Sequence, residues 1–435
     1  MSEDGLGTDP PTVAAHTGRQ SPAQKGPNQY AAFRHRDFRL FVAMRTLSNM
    51  AQLIQSVAVG WQVYDITRRP LDLGLVGLVL FLPQILLALP AGQAADRFPR
   101  KYLIITMLGL NVVASTLLLA LTAMGNQDIG MILAILFLFG AGRTFVGPAT
   151  MAILPAVVSR AELPNAITWN SSTWQAAVVM GPALGGLLYG FGAVVVYGAV
   201  VGLLMVALAA AAALRPAPQS PPGGSRGLRD LLAGVRFVRD HPILLGAISL
   251  DLFAVLFGGA TALLPVFARD ILSVGPVGLG LLRSAPAVGS VACALWLAGR
   301  PLRQRAGRSM FLCVAGFGLA TIAFGLSTNF YFSLAALAVS GACDMVSVYV
   351  RQTVIQLGTP DAMRGRVNAV SLVFIGASNE LGEFESGVTA AWFGTVPSVV
   401  LGGIGTVVVV ALWSWRFAAL RRVDRLDQIY ANARP

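Results

Sequence analysis

The chain has 435 residues, 55% hydrophobic and only 12% charged, with a formal net charge of +12. A soluble globular domain carries about 25% charged residues, so this composition excludes an ordinary soluble protein and describes one that lives in a bilayer. A net positive charge could serve a nucleic acid, but here its placement along the chain gives it another purpose.

Residues 1–36 are polar and rich in Gly, Pro and Gln, and are expected to form a disordered cytoplasmic N-terminus without a signal peptide. Apolar runs of about 20 residues follow, each long enough to cross a bilayer. Twelve are predicted, at about 38–64, 71–95, 101–124, 129–154, 163–190, 193–214, 242–267, 276–299, 309–327, 329–356, 366–393 and 397–419. The runs are continuous rather than short and alternating, so they read as helices and not as barrel strands. The expected fold is an all-α membrane protein of twelve transmembrane helices in two six-helix bundles. The bundles occupy residues 37–214 and 242–419, with a cytoplasmic linker at 215–241 and a tail at 420–435.

In the first run Arg45, Asn49, Gln52 and Ser56 are spaced by four, three and four residues, one polar stripe on an apolar helix. Gln55, Gln62 and Asp65 extend the polarity outward. Such a stripe either lines a central cavity or hydrogen-bonds to neighbouring helices. Arg45, Asn49, Gln52 and Gln55 are therefore substrate-binding candidates, together with Arg351 of the tenth run.

Between the second and third runs stands Gly92-Gln93-Ala94-Ala95-Asp96-Arg97-Phe98-Pro99-Arg100-Lys101. This short basic turn between apolar helices resembles the loop after the second helix in transporters of the major facilitator superfamily. The family pattern is Gly-x-x-x-Asp-Arg-x-Gly-Arg-Arg/Lys. Gly92, Asp96, Arg97, Arg100 and Lys101 match it, and Pro99 departs from it at the second Gly. The resemblance implies a conformational gate. It also implies that Asp96 lies against the N-terminus of the eleventh helix, near residues 364–368, where an acid is favoured by the helix dipole.

The fourth run carries Arg143 with Gly147 four residues on, similar to the proton-transfer motif of the exporter branch, with Val146 in place of its Gln. An Arg inside a membrane is costly and should face the protein interior and a partner. The fifth run contains Gly181-Pro182-Ala183-Leu184-Gly185-Gly186, which resembles the antiporter motif Gly-Pro-x-x-Gly-Gly; Ala177 stands where a more N-terminal glycine is usual. Small residues let two helices approach closely and Pro bends the helix, so Gly181, Pro182, Gly185 and Gly186 are gating candidates. A Pro- and Gly-rich stretch at 216–224 reads as a flexible linker. It leads into an amphipathic surface helix at 226–240, whose Arg229, Arg236 and Arg239 are expected to meet anionic lipid on the inner leaflet.

Five acids fall inside the later runs: Asp251, Asp344, Glu380, Glu383 and Glu385. Glu380 and Glu383 are three apart and share a helix face. Two close carboxylates in a low dielectric resist ionising together, so one is expected to hold a proton. Glu385 is turned to another face and is expected to meet Arg351 or another Arg. Asp344 and Arg351 lie seven apart on one face. Proton coupling is therefore assigned to Glu380, Glu383, Asp251, Asp344 and Arg143, against the simpler reading of structural ion pairs with Arg45, Arg143, Arg283 and Arg351. The three histidines, His16, His35 and His241, all lie outside the runs, so a proton relay in the membrane must use carboxylates. Cys293, Cys313 and Cys343 read as small packing residues.

Placing residue 1 inside gives 25 Lys and Arg in cytoplasmic segments and three outside (Arg68, Arg69, Arg269), the remaining four lying within spans. That is the positive-inside bias, and it sets both termini in the cytoplasm. The basic excess thus reflects topology, and no nucleic-acid partner is expected. The only lysines, Lys25 and Lys101, precede Gly and Tyr, so no phosphate-binding loop is present and transport must be secondary. No zinc-hydrolase spacing and no hydrolase triad appears; no cofactor, no metal and no enzyme activity is expected.

Three further stretches narrow the resemblance: Trp61-Gln62-Val63-Tyr64-Asp65-Ile66-Thr67, Leu250-Asp251-Leu252-Phe253 with Ala262-Leu263-Leu264-Pro265-Val266, and Met363-Arg364-Gly365-Arg366-Val367 continuing to Leu381-Gly382. Together they are similar to the bacterial branch of the superfamily that includes enterobactin exporters and multidrug efflux proteins. The resemblance implies a monomeric inner-membrane exporter of a small organic molecule, siderophore or drug-like, driven by proton antiport and surrounded by lipid. A membrane-embedded sensor or assembly protein on the same scaffold is the alternative; the carboxylates within the runs weigh against it.

Overall fold

A computed structural model describes residues 30–216, 228–300, 302 and 304–424. Helix is the only regular structure among them, as a lipid solvent demands, because a helix satisfies its own backbone hydrogen bonds. The elements are α1 (Arg36–Thr67), α2 (Pro70–Leu86), α3 (Ala88–Arg97), α4 (Arg100–Ala123), α5 (Ile129–Ile153), α6 (Leu163–Tyr189), α7 (Ala193–Ala213) and α8 (Leu228–Asp240). They continue with α9 (Pro242–Gly258), α10 (Leu264–Val266), α11 (Gly275–Gly299), α12 (Ala306–Gly325), α13 (Phe330–Gly358), α14 (Asp361–Phe393), α15 (Thr395–Arg416) and α16 (Ala418–Arg421).

The ends follow local chemistry. Asp128 caps α5, its Oδ1 accepting from the amides of Gly130 (2.8 Å) and Met131 (3.3 Å), and Asn329 caps α13 by accepting from Phe332 N at 3.0 Å. Arg68 ends α1 in the left-handed region, φ 55°. α2 and α3 form one broken rod, because Pro90 has no amide to meet the carbonyl of Leu86. After α9 a 3-10 turn (Ala260–Leu263), α10 and a π turn (Phe267–Ile271) carry the chain onward without a loop.

Among the described residues eight segments are long and apolar enough to cross a membrane: Arg100–Ala123, Ile129–Ala156, Ala193–Ala213, Pro242–Ile271, Gly275–Gly299, Ala306–Gly325, Phe330–Gly358 and Thr395–Arg416. The other four expected runs are also helical, as α1, α2 with α3, α6 and α14. They fall short on these grounds because α1 and α14 carry the polar stripe and the acids, α6 is polar in its first half, and the second run is broken at Leu87. The Gly92–Lys101 segment differs from expectation. Gly92, Asp96 and Arg97 lie on helix α3, Arg100 and Lys101 open α4, and only Phe98 and Pro99 make the turn. Pro99, the residue that departs from the family pattern, is the N-cap of α4.

Helices of the first half pack on one another, α1 against α6 and α7, α4 against α5 and α7, and α2 against α5. In the second half α13 packs on α11 and α12, and α15 on α9 and α12. The halves meet along two seams, α6 with α11 and α2 with α14. Apolar packing follows the same division. One core, including Ile54, Trp61, Tyr197, Leu264, Phe267 and Leu282, runs through both halves at the end where α1 finishes. At the opposite end two separate cores lie in the two halves, one around Phe38, Phe41 and Ile104, the other around Ile248, Val350 and Val367.

Both described chain ends lie at this divided end. Ala32 N donates to Asn165 Oδ1 (3.3 Å) in the first turn of α6, and Phe33 meets the Trp169 ring edge-on at 5.0 Å. Gly307 N donates to the Val423 carbonyl at 3.0 Å. α8 docks on α14 rather than merely resting on a surface: Gly234 lies so close that a Cβ there would come 2.8 Å from the Arg366 carbonyl. Val238 is buried, whereas Leu232, Val235, Arg236 and Arg239 stay exposed. The side chain of Arg229, the stretch 217–227 within the expected linker, residues 1–29 and residues 425–435 fall outside the described residues.

Candidate functional site: a charged cavity between the halves

The cavity lies where α1, α2, α5, α11 and α14 converge, at the margin of the shared core, whose Val59, Leu73, Leu136 and Phe139 line it, and encloses about 620 Å³ of empty space including its mouth. Its walls are largely apolar, with Val59, Leu73, Leu80 and Phe139 among them. Gln52, Gln55 and Ser56 of the α1 stripe, Arg143 of α5, Arg283 of α11 and Glu383 of α14 supply the polar groups. An apolar pocket with a few convergent polar groups is the usual form of a small-molecule site.

The charges knit the halves together. Arg143 Nη1 lies 4.0 Å from Glu380 Oε1, linking α5 to α14. Arg283 Nη1 donates to the Ser56 carbonyl at 3.4 Å, linking α11 to α1. Glu383 projects toward α2 at Gly77, where a Cβ would sit 3.0 Å from Oε2; glycine leaves the space that the carboxylate uses. The α1 stripe divides by depth. Gln55 is buried and accepts from Ser115 Oγ at 2.7 Å. Arg45 Nη1 donates to Thr150 Oγ1 at 3.3 Å, while its Nε is buried without a partner among the described residues. Asn49 is buried, and neither Arg45 nor Asn49 lines this cavity.

Other expected site residues lie elsewhere. Asp251 of α9 and Arg351 of α13 form an ion pair, with the residues 5% and 3% exposed, away from the cavity lining. Arg351 therefore spends its charge on Asp251 and not on Asp344 or Glu385. Asp344 is on α13 and is half-buried. Among the gating candidates, Gly181 and Gly185 face Leu53 and Ile54 of α1, and Gly186 faces α11. Cβ atoms added at Gly186 and Gly280 would lie 2.9 and 3.0 Å from the other's Cα, so the two backbones touch, and the Pro182 carbonyl faces the same Gly280. Arg100 donates to the Ala152 carbonyl at 2.9 Å and to the Ala95 carbonyl at 3.4 Å, tying α4 to α5 and α3. Gly92 faces open space, Arg97 is exposed and Lys101 half-exposed. The side chain of Asp96 falls outside the described residues.

Above the cavity, at the closed end, stands a clasp that the residue patterns did not single out. Asp65 of α1 pairs with Arg269 of the π turn, and Tyr64 Oη donates to Asp270. Arg68 lies 3.4 Å from Asp270 and 3.9 Å from Asp65, and the Arg269 guanidinium sits 5.5 Å from the Trp61 ring centroid. The π turn sets two consecutive residues, Arg269 and Asp270, against one helix. Two acids and two bases balance there. The available signal was the rarity of Arg269, one of only three basic residues outside the inner segments and the spans. Arg283 was visible only as a possible ion-pair partner.

At the other end His35 Nε2 and Glu162 Oε2 are 2.5 Å apart, and Ser159 Oγ donates to the same oxygen at 2.7 Å. The bonds from Ser159 and then His35 hold the Glu162 carboxyl below the ordinary carboxylate range.

Known proteins place this architecture. The bacterial homologue of the human lysosomal transporter Spinster, in an inward-facing occupied conformation, superposes with a TM-score of 0.70 over 94% of this chain and 99% of that one, at 14% identity. A bacterial homologue of the iron transporter ferroportin, inward-facing, gives 0.66 over 87% and 98%, at 15% identity. At such identities they establish the fold alone, that of the major facilitators. The enterobactin exporter EntS of Escherichia coli O1:K1 is 27% identical over 390 residues, covering 89% of this chain and 93% of its own. EntS of Citrobacter koseri is 26% identical over the same length. The transmembrane secretion effector profile matches residues 27–435. Nearly the whole sequence thus matches one family of transporters, and helix is the regular structure of its described residues: the chain is a multi-pass membrane protein of the transmembrane secretion effector family, a transporter and not an enzyme.

Proposed function

We propose that the protein is a secondary active exporter of a small organic molecule, siderophore or drug-like, working in the cytoplasmic membrane by proton antiport. In this reading α1, α2 with α3, α6 and α14 complete twelve spans in two six-helix bundles, and both termini are cytoplasmic. The divided end then faces the cytoplasm and the clasp faces out. Substrate enters between the separate cores, reaches the cavity and releases a proton from the Glu380–Glu383 pair. The halves rock about their two seams, the clasp parts, and the substrate leaves. A proton from outside then neutralises an acid, which lowers the cost of closing the cavity around it for the return. The protein acts as a monomer, with Arg236 and Arg239 of α8 toward anionic lipid.

The observation that carries this reading is the Arg143–Glu380 contact, a carboxylate of one half meeting a cation of the other, with Arg143 and Glu383 both on the cavity wall. The names of the EntS relatives support the outward direction. In proteoliposomes, Glu380→Gln and Glu383→Gln should abolish efflux driven by a pH gradient while leaving substrate exchange at equilibrium partly intact. Proton and substrate flux are measured together. Wild-type coupling in both variants would make the acids structural and overturn the assignment.

A further inference from the structure

Once the close ion pairs are assigned, two opposite charges at the cavity wall have none of their own, Arg283 acting on Glu380 only from a distance. Glu380 answers Arg143, and Arg351 answers Asp251 at a distance from the cavity. Arg283 and Glu383 both line the cavity, and neither has an ion pair among the described residues. Arg283 is held only by a long hydrogen bond to a neutral acceptor, the Ser56 carbonyl at 3.4 Å. Glu383 sits in the niche that Gly77 leaves open. They come from different helices, α11 and α14, and so approach the cavity from different walls.

Both side chains are half-exposed to the open cavity, and a ligand that fills it excludes water from any charge it does not meet. A ligand with one charge would answer one of them, whereas a ligand carrying both signs answers both. The surrounding wall, Val59, Leu73, Leu80 and Phe139, offers an apolar body nothing but dispersion and burial. We propose that Arg283 and Glu383 form a two-point site for a zwitterionic amphiphile. Arg283 takes the ligand's carboxylate or equivalent anion, Glu383 takes its protonated amine, and the apolar wall takes the rest. The inference rests on the transport reading in one respect, that the cavity is where cargo binds; it then explains how cargo and proton exclude each other, since the amine occupies the carboxylate that the proton would otherwise hold.

The test uses the full-length protein in lipid nanodiscs and three probes that share one fluorophore: dansylglycine (anion), dansylcadaverine (cation) and Nε-dansyl-lysine (zwitterion). Each is titrated by its change in emission. Nε-dansyl-lysine should bind about tenfold tighter than either singly charged probe, the size of one charge-assisted hydrogen bond. Arg283→Gln should reduce it to the level of dansylcadaverine, and Glu383→Gln to the level of dansylglycine. Arg283→Lys and Glu383→Asp should keep the wild-type order, which separates lost recognition from lost folding. A singly charged probe that binds as tightly, no binding by any probe, or an unchanged order in both Gln variants overturns the proposal. Binding alone is read, so a protein that prefers the zwitterion yet shows no proton-linked flux overturns the antiport reading and not this one.

Discussion

The two ends of the molecule are held by different means. At the clasp end a single apolar core passes through both halves, and a rim of half-exposed charges, Asp65, Arg68, Arg269 and Asp270, closes over it. At the other end each half keeps its own core, and the second half contains a fully buried ion pair, Asp251 with Arg351. Each half thus carries apolar packing at both of its ends. Contacts between halves are concentrated at one end and finished by groups that water can replace. In the transport reading proposed above, this contrast favours parting of the halves over rearrangement within either of them.

That contrast can be broken most forcefully at the buried pair. Asp251→Ala or Arg351→Ala should destabilise the second half by about 3–5 kcal/mol, because each leaves a lone charge in an apolar core. Thermal unfolding in detergent measures this. The double replacement Asp251→Leu with Arg351→Met should recover most of the loss, and failure to recover would assign the pair a task beyond holding α9 to α13.

The clasp should respond in the opposite sense. Arg269→Gln is expected to cost little in unfolding temperature, since partly exposed pairs contribute about 0–1 kcal/mol. The same amount acts directly on the balance between closed and open, shifting it up to about fivefold toward the open clasp. Distances between spin labels at the exposed Leu71 and Ser273 report that balance. A large fall in stability with no change in distances would erase the difference between the ends.

The smallest effect belongs to the His35–Glu162 contact, which fastens the start of α1 to the start of α6 inside the first half. The Glu162 carboxyl is lowered in the folded protein by Ser159 and His35, so its contribution is present above the ordinary carboxylate value of 4.5 and is lost as pH falls through the lowered one. The exchange protection of residues 30–35, measured against the intrinsic rate at each pH, should therefore fall only in acid, and Glu162→Gln should remove that dependence. Protection that is flat with pH in the parent protein would sink it.

Much of this architecture is legible in the sequence because a bilayer imposes one rule on twenty residues at a time. Runs such as 193–214 and 397–419 can hardly be anything but helices. Four residues that the runs single out as candidates, Gln52, Gln55, Arg143 and Glu383, line one cavity. What the runs withhold is rotation. Asp344 and Arg351 share a helix face, yet Arg351 turns to Asp251, one hundred positions earlier, because the packing of α9 on α13 decides which acid is near. The Gly92–Lys101 segment reads as a turn from its composition, and most of it is helix, since two residues suffice to reverse the chain. The clasp depends on a π turn, and nothing in one sequence announces that extra residue in a turn.

If the halves rock as proposed, the Gly186–Gly280 crossing sets the mechanics of that motion. Two bare backbones meet there, with no side chain between them. A hinge built from interlocked side chains must re-register its rotamers at each swing and so works in steps. A contact between smooth surfaces can roll through a continuous range of angles, with a lever arm fixed by the van der Waals radii of two α-carbons. Its position close to the clasp end makes the arms unequal, so a small rotation there opens little above and sweeps widely at the far mouth.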